Sequence, residues 1–304
     1  MTSENSREKL NTIGSKNPVD FLRTPEQALV ERERRGETPV VLRRNDGQNE
    51  LVVLGLPHTF SYEEINQYKD ILREQHPDLF LRGIDLIIVE GTPLEFDPRI
   101  DPAQIIKEHG ETSYLAYIAK SMGVRVESWD LDFNNWFKNI LERHSTEDIL
   151  AWLGAAALKL LFEKNRKGKS VKETDHISQS EIKDLKLLFE KFINAELVEY
   201  ALKKNGSKIA ADKIDFENLF KSYCGKSLSE ITFGDIAKLS DPYADGPTSA
   251  VIRDLNEIRD KKAMDTLQEA KSKYKSIFMS AGLDHVITWE PAIDALYQNQ
   301  KQVQ

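Results

Sequence analysis

The run Leu51-Val52-Val53-Leu54 stops at Gly55, passes Leu56 and Pro57, and delivers one histidine, His58. Far along the chain, Ile277-Phe278-Met279-Ser280-Ala281 leads into Gly282-Leu283-Asp284-His285. These two apolar runs, each ending in Gly-x-x-His, restrict the fold more than any other feature. Short Val/Ile/Leu runs bounded by glycine read as strands buried on both faces. A side chain at the carboxyl end of such a strand lies where open α/β sheets gather their ligands. One lone histidine is most often a surface or satisfied core residue; its repetition in the same setting makes a pattern.

Other segments fit around these two. Pro39-Val40-Val41-Leu42 and the first run flank Asn45-Asp46-Gly47-Gln48, which predicts a β-hairpin. Residues 84–89 and 124–129 read as further strands, ending at Glu90 and Asp130. A capping box, Ser61 with Glu64, predicts a helix over 61–75. A helix over 111–122 is expected to stop at Gly123, and 97–109 to be loop-like with room for one helical turn. The fold class expected is α/β: a mostly parallel central sheet with an N-terminal hairpin, flanking helices and a large all-helical insertion. Residues 1–37 form an N-terminal extension, with a charged helix from Pro25 to about Arg35 and Phe21 and Leu22 as its anchor. Residues 38–132 and 246–304 form the α/β core. In the insertion, 133–245, helices are expected near 134–143, 146–164, 178–204, 212–223 and 229–239. A long helix over 248–274 then returns the chain to the last strand, and a short helix from Glu290 ends the fold. The insertion leaves the strand that ends at Asp130, so a lid that selects substrate is expected. The alternative use of such a layer is a homodimer contact.

Composition narrows the function. A formal charge of −8 argues against nucleic acid and anionic membranes as partners. The single cysteine, Cys224, cannot form an internal disulfide and has no neighbour that would activate it, so a reducing, cytoplasmic setting and an inert thiol are expected. The first 17 residues lack the apolar segment of a signal peptide. The longest apolar stretch, 149–162, is too short to span a bilayer. The chain has no Gly-x-Ser-x-Gly elbow, Walker loop or dinucleotide fingerprint.

With the four strands parallel, one sheet edge carries His58, Glu90, Asp130 and His285. Two imidazoles and a carboxylate supply either ligands for a divalent metal or a base with an orienting partner. Glycines beside His58, Glu90 and His285 would let backbone approach a ligand closely. Glu111, after Gly110, stands where an acid favours a helix N-terminus. Arg259 flanks the apolar stripe of Ile252, Leu255, Ala263 and Leu267, with a solvated ion pair as its ordinary use. His76, His109, His144 and His176 lie in polar surroundings and read as surface histidines.

Taken in order, Gly55-Leu56-Pro57-His58, Val89-Glu90, Gly110-Glu111, Ile258-Arg259-Asp260 and Gly282-Leu283-Asp284-His285 resemble the TraB/Tiki superfamily, whose distant relatives include erythromycin esterase-like and ChaN-like proteins. His58-Thr59-Phe60-Ser61 is similar to the family's His-x-x-Ser. The likeness covers roughly 50–130 and 250–297. It departs from the pattern where Leu56-Pro57 replaces small residues. The resemblance implies a hydrolase of peptide or ester bonds, with His58, Glu90, Glu111, Arg259 and His285 as its catalytic set. Tiki proteins are metal-dependent proteases, whereas the esterase branch uses a histidine base. In the metal version His58, Glu90 and His285 would hold Mn, Co or Zn, oxygen donors favouring manganese. The ChaN-like branch implies the alternative, a non-catalytic protein that binds haem, another small molecule or a partner.

Overall fold

The structure, a computed structural model, describes residues 17–36, 38–57, 63, 66–67, 83–91, 100–130, 138–165, 172–192 and 215–298. His58 and most of the expected helix over 61–75 lie outside the described residues. The strands are β1 (Val40–Asn45), β2 (Glu50–Leu56), β3 (Leu86–Val89), β4 (Arg125–Ser128) and β5 (Ser276–Gly282). The helices are α1 (Pro25–Arg35), α2 (Pro102–Ser121), α3 (Thr146–Asn165), α4 (Gln179–Phe192), α5 (Phe216–Cys224), α6 (Phe233–Leu239), α7 (Pro247–Lys273) and α8 (Leu283–Gln298). The chain divides into two compact units, Met1–Leu131 with Arg259–Gln304, and Asp132–Ile258.

The first unit is built on one sheet in the order β1-β2-β5-β3-β4. Among the described strands only β1 and β2 pair antiparallel; β2–β5, β5–β3 and β3–β4 are parallel, so the expected mixed α/β class is the one observed. The hairpin turns as Asn45-Asp46-Gly47 predicts: Asn45 Oδ1 accepts from the Gly47 N–H at 2.7 Å, and Gly47 adopts φ +90°. Leu51, Val53, Leu86, Ile88, Ile277 and Met279 point from the sheet into a core shared with Val286, Ile287, Trp289 and Ile293 of α8. Leu56 stands opposite Gly282 in the β2–β5 register, so β2 and β5 end side by side. A side chain on Gly55 would meet the Val286 Cβ at 2.9 Å. Gly55 is therefore fixed by packing against α8, where the sequence suggested room for a ligand.

Two helix starts and one anchor residue differ from expectation. Helix α2 begins at Pro102, capped by Asp101 Oδ1 on the Ala103 N–H at 3.0 Å, and runs through the stretch read as loop. Its interruption is Gly110, at φ +78° and ψ −179°, a conformation open to glycine. Helix α8 starts at Leu283, directly after β5 and ahead of the start expected at Glu290, and contains Pro291. In the N-terminal arm, Val19 and Leu22 pack on the core, while Phe21 is exposed.

The second unit is helical in its described residues, apart from one bridge between His176 and Thr232. Leu158 of α3, Leu185 of α4, Phe220 of α5 and Ile236 of α6 share a core. Gly154 admits the Phe220 ring, whose Cζ lies 3.1 Å from where a Cβ would stand. The helix expected over 229–239 is split: a short 3-10 turn, Leu228–Glu230, precedes α6, whose capping box joins Thr232 and Asp235. Among the described residues no helix is long and apolar enough to cross a membrane.

Candidate functional site

The parallel strands bring Glu90 and Asp130 to one edge of the sheet, and β5 turns there into α8. His285 is the third residue of that helix and is only 8% exposed. Arg259 and Asp260 are neighbours on α7, about 100° apart around a helix axis, and they meet the two different nitrogens of the His285 ring. Asp260 Oδ1 lies 2.6 Å from Nδ1, and Arg259 Nη1 lies 3.2 Å from Nε2. A guanidinium only donates. Nε2 must therefore accept, and Nδ1 carries the proton and donates to Asp260. The same Asp260 oxygen accepts from Trp289 Nε1 at 2.6 Å, so one buried carboxylate fixes both His285 and Trp289 on successive turns of α8.

Arg259 is held from its other side. Its Nε donates to Asp130 Oδ1 at 2.9 Å, and Nη2 donates to Asp130 Oδ2 and Glu90 Oε1, each at 2.6 Å. Burial acts to lower the Arg259 pKa. The Asp130 hydrogen bond and the charges of Glu90 and Asp130 outweigh it, so the guanidinium is held above its ordinary range. Glu90 Oε2 accepts from the Gly282 N–H at 2.8 Å, tying β3 to the end of β5. The indole of Trp129 lies under the guanidinium, 5.2 Å from its centroid, and meets the imidazole edge-on at 5.4 Å. Four of the five Arg259 N–H groups thus have protein acceptors. Among the described residues no group accepts the second Nη1 hydrogen, which lies beside Nε2 of His285.

Of the five catalytic candidates, the structure joins Glu90, Arg259 and His285 in one network. Glu111 is buried, immediately after the Gly110 break in α2, and is bonded to neither Arg259 nor His285. Arg259 is not on a solvated face, because Asp130 and Glu90 draw it into the sheet edge. Asp284, next to His285, faces elsewhere and pairs with Arg32 at 2.5 Å. Sequence reading missed Asp260 and Trp289. Their signal was present: a carboxylate adjoining Arg259, and an indole four residues beyond His285 on one helix face.

A divalent cation does not fit the described donors as they stand. Both Glu90 oxygens are engaged, and Arg259 occupies the approach to Nε2 of His285. Among the described residues no group of three His, Cys, Asp or Glu side chains could hold a metal. His58, the third proposed ligand, lies outside them. Comparison of the chain with family models, with characterised proteins and with solved structures returns no match.

Proposed function

We propose that the chain hydrolyses ester or peptide bonds at the carboxyl edge of the sheet, with His285 as general base. The observation that carries this reading is the pairing of an acceptor and a spare donor: Nε2 of His285 beside the Nη1 hydrogen of Arg259 that no described residue accepts. A water entering between them would donate to Nε2. Its oxygen attacks the acyl carbon while its proton passes to Nε2. The carbonyl oxygen gains the negative charge and accepts from Arg259 Nη1. Asp260 keeps Nδ1 protonated, orients the ring and stabilises the imidazolium, which then returns its proton to the leaving oxygen or nitrogen. Two carboxylates already lie on Arg259, so the spare donor suits a neutral acyl oxygen better than a carboxylate or phosphate.

The test is a screen of p-nitrophenyl esters and fluorogenic peptides with wild type and His285→Gln. Turnover that disappears in a folded His285→Gln protein is expected. Wild type that turns over no ester or peptide probe would overturn the reading. If haem titration then gave a Soret shift lost in His285→Gln, non-catalytic ligand binding would replace it.

A further inference from the structure

Proline inside a helix removes one backbone donor, and the carbonyl four residues earlier loses its partner. In α8 the proline is Pro291 and the carbonyl is that of Ile287. Ile287 is fully buried, so this oxygen needs another donor. Arg23 supplies it: its Nη1 donates to Ile287 O, and its backbone N–H donates to Thr288 O at 3.1 Å. Nη2 of the same guanidinium donates to Glu290 of this helix at 2.9 Å, and Arg35 reaches that carboxylate at 2.7 Å. The two gripped carbonyls lie between His285 and Trp289, the two residues that converge on Asp260.

We propose that Arg23 is a positioning residue for His285: by filling the gap that Pro291 leaves, it sets the turn of α8 that aims the imidazole at Asp260 and Arg259. Arg32 also reaches α8, through Asp284, but that pair is a third or more exposed on both sides and holds little. Arg23 acts on the backbone itself, in a half-buried place, with three separate contacts. The inference rests on the reading of His285 as the working base only for its functional meaning; its test does not use turnover.

The experiment is a long-range ¹H–¹⁵N spectrum of the histidine rings in the full chain at about pH 8, where free imidazole is neutral. His285 is assigned by its loss in His285→Gln. Wild type is expected to show two widely separated ¹⁵N resonances, the mark of a single Nδ1–H tautomer. In Arg23→Ala these two resonances should converge as the ring begins to exchange tautomers. Pro291→Ala restores an N–H for Ile287 O, so adding Arg23→Ala to it should move the resonances much less. Should Arg23→Ala not fold, Arg23→Lys serves. It keeps the charge but cannot reach Ile287 O and Glu290 together, and the same convergence is expected. An unchanged His285 pattern in the folded Arg23 variant, even with a lower melting temperature, would overturn the proposal. So would an equal convergence in the Pro291→Ala background. A chain without hydrolytic turnover that still shows the convergence would lose the hydrolase reading and keep this one.

Discussion

The α/β unit and the helical unit each hold one histidine against one aspartate, and the two pairs are built differently. In the α/β unit, His285 and Asp260 are both almost fully buried, and each has a second partner: Arg259 on the ring and Trp289 on the carboxylate. Every hydrogen-bonding role is therefore single-valued. In the helical unit, His144 Nε2 lies 3.0 Å from Asp254 Oδ2, with Arg143 at 3.5 Å from the same oxygen, but Asp254 is about a third exposed and Arg143 half exposed. Water can take over roles there that protein groups must fill around His285. Burial follows the same division. Around Arg259 it is opposed by two carboxylates that hold the charge in place. Around Cys224, in the helical unit, it acts together with the carboxylate of Asp235 and pushes the thiol up to about 11. A His–Asp pair alone is thus a weak sign of a site; what distinguishes one is how completely its surroundings define each proton.

Arg259→Met should break the contrast most. It leaves Glu90 and Asp130 without their shared cation at a buried position, at a cost of about 3–5 kcal/mol in chemical denaturation. Asp260→Ala comes next. It strands two buried donors, His285 Nδ1–H and Trp289 Nε1–H, each costing about 1–3 kcal/mol, and a loss of roughly 2–4 kcal/mol is expected. Asp260→Asn should recover part of that loss, since its amide oxygen can still accept from Trp289. A loss below about 1 kcal/mol for Asp260→Ala would mean that the pair is no better packed than the one at His144.

Cys224 gives a chemical measure of uncompensated burial. Its pKa is raised from 9.0 to about 11, by burial first and by Asp235 second, so at pH 8 it holds its proton. The thiolate fraction there is about a hundredfold below that of an unshifted thiol, and iodoacetamide should react more slowly by a similar factor. The rate should keep climbing with pH until about 11. A plateau near pH 9 would show that the thiol is not desolvated.

Much of the sheet was legible because its signals are local. Alternating and continuous apolar runs mark β1 to β5, and Asn45-Asp46-Gly47 marks the turn between the first two. The helices α2 and α8, whose starts differ from expectation, show two uses of proline. At Pro102 it opens a helix behind a capping aspartate, and the signal was passed over. At Pro291 it sits inside a helix, and what makes this tolerable is Arg23, 268 residues away in sequence. No local pattern carries that information. The site was half legible on the same grounds. His285, Glu90 and Arg259 stand in short motifs, whereas Asp260 gains its meaning only when α7 is laid beside α8. His144, read as a surface histidine, is 12% exposed through a partner 110 positions on.

The smallest effect is expected at Asp254, and it tests the weaker side of the contrast. Asp254→Ala removes the acceptor from His144 and an ion-pair partner from Arg143. Half-exposed Arg143 returns to water at little cost. His144 is less exposed, so a change of about 1 kcal/mol or less is expected, mainly from its one lost hydrogen bond. The part of the loss that comes from the Arg143 ion pair should vanish in 1 M salt, where charges are screened within about 3 Å. The Asp260→Ala loss should hardly move under the same salt, because stranded donors in a buried site are not reached by ions. An Asp254→Ala cost as large as that of Asp260→Ala, and equally indifferent to salt, would show that the helical unit holds its histidine as tightly as the sheet edge holds His285.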